Sequence, residues 1–341
     1  MLKAKLSVRR LVQHPVEHMQ MMMVVLALDT VHVSPQTEKS ITAGCKLVNA
    51  AQVVTIAGLY QEKTTIVIAL LTDFGAADIY VGVMKGVILS IDPQAQIVDI
   101  THSIQPQNVR QAAFALLNSY RYFPEGTVFL VVVDPGVGTD RKPIAIHAGK
   151  YKFVAPDNGV LSYVLYELRD AFAVELSNPT YQLTGVSSTF HGRDIFAPAA
   201  AHLGKGVALR ALGTPLLNPI ALPEPQLGIN GKRITGEVMH IDHFGNIVTS
   251  IGSLRWVAPE RLTLNPRFGE FATQPIPAAT ATVELGGVTL TGIRHAFGEA
   301  ERGELITIVE SNGFLEIAVN QGSAVARLDV TIGDRVELQI G

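Results

Sequence analysis

The sequence predicts an α/β domain with a mostly parallel sheet, followed by a smaller C-terminal all-β barrel domain. Over residues 64–212, continuous apolar runs alternate with segments whose apolar residues recur at helical spacing, as in parallel β/α folds. Over residues 231–341, short alternating runs are separated by Gly and Asn, which favours a small barrel. Residues 213–230 carry four prolines and are interpreted as an interdomain linker.

The elements of the first domain follow one another along the chain. The run TTIVIALLTDFG is rich in β-branched residues and ends in a turn, which is typical of a buried strand. Similar runs predict strands over residues 97–101, 127–134, 143–148, 152–156 and 171–177. Helical spacing predicts helices over residues 78–92, 106–120 and 159–168, and a loop that enters a helix over residues 188–206.

Composition excludes several classes of protein. A chain of 341 residues with 48 % apolar and 17 % charged residues has material for a large core in roughly two domains. A net charge of −3 gives no basic surface for nucleic acid or an anionic membrane. No stretch approaches the roughly 20 apolar residues of a membrane span. One cysteine, Cys45, rules out an intrachain disulfide and favours a cytoplasmic location.

The first 63 residues differ from the rest. Four basic residues precede the apolar run MMMVVLALDTV, as in a secretory signal, but Asp29 interrupts that run and no cleavage pattern follows closely. The other interpretation is a loosely ordered N-terminal extension, or a start codon assigned too early.

Two predicted strands end on an aspartate that precedes a glycine turn. Asp73 closes the first strand, and Asp134 closes the third in VVVDPGVGTDR, where Arg141 follows seven residues later. Ligands bind beyond the carboxyl ends of strands in such sheets, so both aspartates are candidates for one site. The alternative is that each Asp caps a helix or tightens a turn.

Three other short clusters carry candidate functional residues. In TFHGRDIF, His191 can titrate near neutral pH, whereas Arg193 and Asp194 equally suit an ion pair at a helix start. The segment DHFGN (242–246) combines groups that can bind an amine, stack on a base and read its edge, and ESNGF (310–314) is similarly ambiguous. Both are also ordinary hairpin sequences.

Other signatures of enzymes are missing from the sequence. It has no GxGxxG after the first strand, no Walker loop, no HExxH and no GxSxG. A metal site built from Asp73, Asp134 and His191 remains open on ligand types alone.

Taken together, the motifs from about residue 65 to the C-terminus resemble the S-adenosyl-L-methionine (SAM) hydroxide adenosyltransferases. These SAM hydrolases are related to the SAM-dependent fluorinase and chlorinase. The resemblance is carried by TDFGAADIYVGVMKGVI, IVDITHSIQP, YFPEGTVFLVVVDPGVGTDR, FVAPDNGVLS, TFHGRDIFAPAAAHL and IDHFGNIVTSI. It implies hydrolysis of SAM to adenosine and L-methionine without a cofactor. It also implies a homotrimer, with SAM held between the α/β domain of one subunit and the barrel of its neighbour.

The resemblance assigns roles to particular residues. The catalytic set around the attacking water falls on Asp134, Arg141 and His191, and the ribose-binding Asp falls on Asp73. The halogenases carry an aromatic residue at the position of Asp134, so Asp134 indicates water as the nucleophile. The methionine and adenine contacts of the barrel fall on Asp242, Phe244, Asn246 and Ser311. Asp78, in the first domain, falls near the methionine end.

The chemistry of these residue types constrains the mechanism. Arg141 stays protonated, so the proton of water passes to Asp134 or His191, and we expect a relay between those two. Asn312 stands where the fluorinase has Arg, which affects the expected contacts of the methionine carboxylate. Two alternatives stay open: a non-catalytic protein that binds SAM or adenosine, and a metal-dependent phosphohydrolase.

Overall fold

The structure is a computed structural model that describes residues 66–341 except Arg169 and Glu270. The predictions made for residues 1–63, including Cys45, lie outside the described residues.

A seven-stranded sheet forms the centre of the first domain. Its strand order is β2-β1-β3-β5-β4-β6-β7, with parallel pairing from β2 to β5 and antiparallel pairing from β5 to β7. The strands are β1 Val67–Thr72, β2 Gln96–Thr101, β3 Val128–Val132, β4 Pro143–Ala148, β5 Tyr151–Pro156, β6 Ala171–Glu175 and β7 Thr214–Leu216. The α/β prediction is confirmed, and the sheet is mixed because β4 and β5 form a hairpin around Gly149, whose φ is +55°.

Helices cover both faces of this sheet. They are α1 Tyr80–Ile91, α2 Val109–Ser119, α3 Ser162–Glu167 and α4 Ala197–Gly204, with single 3₁₀ turns at Tyr120–Tyr122, Pro179–Tyr181 and Leu209–Leu212. In β1, Ile68 and Leu70 pack toward α1 and α4, whereas Ala69 and Leu71 pack toward α2 and α3. Burial of both faces explains why the central strands are continuous apolar runs. Helix α2 begins later than predicted because the Asn108 side chain caps it, accepting from the Gln111 N–H at 2.9 Å.

The second domain is a nearly closed antiparallel barrel. Seven of its strands run in the order β15-β14-β18-β9-β10-β17-β16, β8 pairs with β9, and an Arg294–Ile308 bridge joins the two ends of the sheet. A separate sheet has the order β11-β12-β13. The elements are β8 Leu227–Asn230, β9 Arg233–Ile241, β10 Ile247–Thr249, β11 Leu254–Ala258, β12 Arg261–Leu264, β13 Gln274–Pro277, β14 Thr282–Leu285, β15 Val288–Thr291, β16 Leu305–Val309, β17 Leu315–Val319, β18 Arg335–Gln339, a 3₁₀ turn at Phe297–Glu299 and the short helix α5 Ala324–Leu328. The predicted C-terminal barrel is therefore confirmed.

The proline-rich connection between the domains is bound to the first one. Its backbone N–H groups at Ile220 and Leu222 donate to Asp157 at 2.8 Å and to the Ser162 hydroxyl at 2.7 Å. The predicted linker, 213–230, includes β7 on the first sheet and β8 on the barrel. Among the helices of residues 66–341, none has both the length and the apolar character needed to cross a membrane.

Candidate functional site

The turn after β3 holds a buried ion pair. Arg141 Nε donates to Asp134 Oδ1 at 3.0 Å, and Arg141 Nη2 donates to Oδ2 at 2.5 Å. Each side chain is only 6 % exposed. Such a two-point contact fixes the orientation of the carboxylate and adds charge-assisted hydrogen bonds.

A glycine in this turn brings it against the loop that carries His191. Gly138 has a φ of +78°, and a Cβ atom there would lie 2.4 Å from the Ser188 carbonyl oxygen. Only glycine combines this backbone conformation with so close an approach. The PGVG sequence therefore joins two segments that lie about fifty residues apart in the chain.

His191 completes the cluster through Arg141. The distance from Arg141 Nη2 to His191 Nδ1 is 3.0 Å. Because a guanidinium only donates, Nδ1 is the acceptor, and we assign the proton of the neutral ring to Nε2. Within the described residues, Arg141 bridges Asp134 and His191, and no direct hydrogen bond joins those two side chains.

Local structure on both sides of His191 sets its position. A turn of π-helix, Gly192–Phe196, follows it and continues into α4. The carboxylate of buried Asp194 accepts from the Ser187 N–H at 2.9 Å and from the Ser187 hydroxyl at 2.8 Å. These bonds hold the loop that precedes His191. Asp194 also forms the ion pair with Arg193 that the sequence left open, with Arg193 Nε donating to Asp194 Oδ1 at 2.6 Å.

Burial sets the electrostatics of the cluster. Burial raises the pKa of Asp134, and the opposing effect of the Arg141 charge is smaller. Burial, followed by the charge of Arg141, lowers the pKa of His191. Arg141 Nη1 is buried and has no hydrogen-bond partner in the described part of the chain. The cluster thus combines a basic carboxylate, a neutral imidazole and an unused N–H donor.

A cleft of about 240 Å³ lies at this end of the sheet and is lined by Asp73, Asp134 and His191, among others. Asp73 Oδ2 accepts from the Gln107 N–H at 2.7 Å, and the φ of Gln107 is +65°. The structure thus brings together the two strand-end aspartates and His191. Asp78, in contrast, is exposed and is not part of the lining of this cleft.

The four barrel residues singled out in the sequence line a second pocket of about 760 Å³: Asp242, Phe244, Asn246 and Ser311. This pocket shares no lining residue with the cleft in the α/β domain. Phe244 is 73 % exposed. The structure of the single chain therefore presents the expected site residues as two separate groups.

The Asp242 carboxylate is engaged in its own loop. Oδ1 accepts from the N–H groups of Phe244 and Asn246 at 2.8 and 2.9 Å, and Oδ2 accepts from Asn246 Nδ2 at 3.0 Å. The sequence left two roles open for DHFGN, turn formation and ligand binding. Asp242 performs the first, and it is also the residue expected to perform the second.

Two carboxylates of this pocket were missed in the sequence. Glu310 and Glu316 both line it, and Glu316 is only 6 % exposed. Burial, together with the neighbouring charges of Asp242 and Glu310, raises the pKa of Glu316 to about 7. The signal was a lone charge inside the apolar strand sequence FLEIAV, where a buried acid needs an explanation.

The alternative of a metal site depends on how the possible ligands are arranged. Over residues 66–341, apart from the two undescribed positions, no group of three His, Cys, Asp or Glu side chains is arranged to hold a metal ion. Between Asp134 and His191, the Arg141 guanidinium occupies the place that a shared cation would need.

Comparison with known proteins gives a consistent result. Residues 68–213 match the SAM hydroxide adenosyltransferase N-terminal domain, and residues 236–337 match the C-terminal domain of the same family. A curated (R)-S-adenosyl-L-methionine hydrolase from Salinispora tropica is 38 % identical over 279 residues, covering 80 % of this chain and 98 % of the relative. A fluorinase from Nocardia brasiliensis is 29 % identical over 306 residues, covering 81 % and 97 %.

A solved structure agrees with the fold. The crystal structure of an uncharacterized conserved protein from Thermotoga maritima has a TM-score of 0.70 and 40 % identity, covering 80 % of this chain and 99 % of that chain.

Proposed function

The chain belongs to the SAM hydroxide adenosyltransferase family, and we propose that it hydrolyses SAM to adenosine and L-methionine. The observation that carries the proposal is the Asp134–Arg141–His191 cluster at the cleft of the α/β domain. The relative from Salinispora tropica bears the name of this activity, and it aligns over nearly its whole length.

The geometry supports a direct displacement by water. The oxygen of water bonds to the ribose C5′, the C5′–S bond breaks, and its electron pair neutralises the sulfonium. The buried cleft favours this loss of charge and holds the water close to C5′. The proton released from water passes to Asp134, whose raised pKa makes it a stronger base than a free aspartate.

His191 and Arg141 have supporting roles in this proposal. Nδ1 of His191 already accepts from Arg141, so we assign the proton to Asp134 and not to a direct Asp134–His191 relay. Arg141 lies behind the lining of the cleft; it orients the Asp134 carboxylate by two hydrogen bonds, and its positive charge favours hydroxide character on the water.

The substrate contacts remain part of the proposal. Asp73 accepts from the ribose hydroxyls, Phe244 stacks on adenine and Asn246 reads its edge. The β9–β10 loop of Asp242 and the β16–β17 loop of Ser311 face the amino acid. We retain Asp78 as a contact of the methionine end only across a closed interface, because in the single chain it lies outside the cleft. The reaction as proposed uses no cofactor, and a cytoplasmic location agrees with the cysteine content.

A complete site is proposed to form between subunits of a homotrimer. The two groups of site residues line separate pockets within one chain. Large apolar side chains are exposed near both of them, Ile79 and Tyr80 beside the cleft and Phe244 in the barrel pocket. Contact between a cleft and a neighbour's barrel would cover these side chains and close a ring.

The test of function is incubation of the purified protein with SAM and excess EDTA, followed by chromatography of the products. Equimolar adenosine and methionine support the proposal. Binding of SAM without release indicates a binding protein, whereas metal-dependent cleavage of a phosphoester with SAM intact indicates a phosphohydrolase.

The test of the shared site is complementation between impaired variants, assayed at SAM concentrations well below KM. Asp134→Asn damages only the cleft, and the double change Asp242→Asn with Phe244→Ala damages only the barrel pocket. Mixed, reassembled trimers should regain about one quarter of wild-type activity, because about one interface in four then pairs two intact halves. No recovery in proven mixed trimers would contradict a shared site.

A further inference from the structure

Three carboxylates line the barrel pocket, and they differ in what they already bind. Asp242 accepts three hydrogen bonds within its own loop. Glu310 accepts from the N–H groups of Asn312 and Phe314 at 2.8 and 3.2 Å and from the Ser311 hydroxyl at 3.2 Å. Both carboxylates thus hold the turns on which they lie.

Glu316 is the exception. Its side chain makes no hydrogen bond or ion pair with any of the described residues, although the residue is only 6 % exposed. It lies on β17 opposite Val248 of β10 and Ile308 of β16. Its neighbours Leu315 and Ile317 point into the barrel core, so Glu316 points to the opposite side. There it lines both the barrel pocket and an adjoining cavity of about 370 Å³ that Phe114 and His240 also line.

The carboxylate oxygens of Glu316 are not among the fully buried unpaired atoms, and the residue lines the pocket. An ionised carboxylate in a largely buried position with no protein donor is poorly stabilised, and a cationic ligand that enters the pocket would stabilise it. An ammonium group offers three donors, and Glu316 has all of its acceptor capacity free. Asp242 has only about one remaining acceptor position of roughly four. A ligand cation in this pocket therefore gains more from Glu316 than from Asp242.

We propose that Glu316 is the main acceptor for the substrate's α-ammonium group and selects substrates that carry this amine. This proposal rests on the proposed function. Asp242 then holds the loop that shapes the pocket and adds a secondary charge. The resemblance, in contrast, places the methionine and adenine contacts of the barrel on Asp242, Phe244, Asn246 and Ser311 and does not include Glu316.

The protonation behaviour of Glu316 agrees with this role. The titratable groups around it are Asp242 and Glu310, His240 in the cavity behind it and His295 in the pocket. Burial and the two carboxylates raise its pKa to about 7 in the free protein. A bound cation favours the ionised form, so SAM should bind more tightly as pH rises through about 7. Binding should release a proton below that pH and none well above it.

The test compares the wild type with Glu316→Gln on SAM and on an analogue in which hydrogen replaces the amino group. We expect KM for SAM to rise roughly 10- to 100-fold, the range for a hydrogen bond to a charged group, with kcat within about threefold. With the analogue, both proteins should show the same KM. The matched control is Glu284→Gln, which alters an exposed carboxylate on β14.

Each outcome decides the matter. An unchanged KM in Glu316→Gln, or an equal loss on both substrates, overturns the assignment while leaving SAM hydrolysis intact. If the wild type does not cleave SAM, the proposed function fails, and calorimetric titration with SAM and the analogue still tests Glu316. Absence of any SAM binding overturns both. Thermal melting, together with Glu316→Leu as a second variant, separates loss of recognition from loss of fold.

Discussion

The cleft of the α/β domain and the pocket of the barrel solve the problem of buried charge in different ways. In the cleft, Asp134 and Arg141 neutralise each other, and His191 is held by the same guanidinium. In the barrel pocket, Asp242 and Glu310 accept hydrogen bonds from their own turns, whereas Glu316 has no partner among the described residues. The first region is organised before a ligand arrives, as catalysis requires. The second keeps a carboxylate that no described residue binds, which suits recognition of a cation.

The largest effect is expected from a change in the cleft of the α/β domain. Asp134→Asn removes the proposed base, and kcat should fall about 10²- to 10⁴-fold while the Kd for SAM stays within a few-fold. Turnover assays and calorimetry measure the two quantities. Asp140→Asn, an exposed carboxylate in the same turn, is the control and should behave as the wild type. A near-normal kcat in Asp134→Asn would remove Asp134 from the mechanism.

The next effect loosens the same region without touching a charge. Gly138→Ala introduces a side chain at positive φ that would clash with the Ser188 carbonyl. We expect a loss of about 1–3 kcal/mol in the free energy of unfolding and a fall in kcat of about 100-fold as the cluster shifts. Gly126→Ala is the control for strain alone, because its φ is also positive while nothing lies within 4 Å of the added Cβ. Equal kcat for the two variants would show that the contact with Ser188 is unimportant.

The pH dependence separates the two regions. Asp134 must be ionised to act as the base, and its pKa is raised, so kcat should fall as pH decreases through that raised value, by about tenfold per unit below it. Glu316 should instead shape KM near pH 7. Full profiles of wild type and Glu316→Gln test this. The variant should keep the acid limb of kcat and lose the change in KM.

The smallest expected effect concerns the exposed aromatic side chain of Phe244 in the barrel pocket. Phe244→Ala removes the proposed stacking surface for adenine and should raise KM about tenfold. Because Phe244 is 73 % exposed, the melting temperature should not change. Val257→Ala, another exposed apolar residue of the barrel, serves as the control. A large loss of stability instead would assign Phe244 a role in folding.

The sequence was most informative where local pattern and fold coincide. Continuous apolar runs predicted β1 and β3, and the position of Asp73 and Asp134 at strand ends followed from the layout of α/β sheets. The bridging position of Arg141 could not be predicted, because the turn must first fold against Ser188. Glu316 was missed since its neighbours in the sequence are apolar, and its burial depends on strands far away in the chain. The antiparallel edge of the sheet depends on the β4–β5 hairpin, a tertiary choice that periodicity does not encode.

The Asp134–Arg141 pair has a consequence for which nucleophiles the cleft admits. With a neutral imidazole at His191, the three side chains carry no net charge, and Asp73 adds one negative charge to the same cleft. A halide would enter against this balance and lose its hydration without a free cation to replace it. Water enters without charge and becomes anionic only as its proton leaves. In the proposed mechanism, the cleft therefore favours a nucleophile that enters as neutral water and becomes anionic inside over an anion taken from solution.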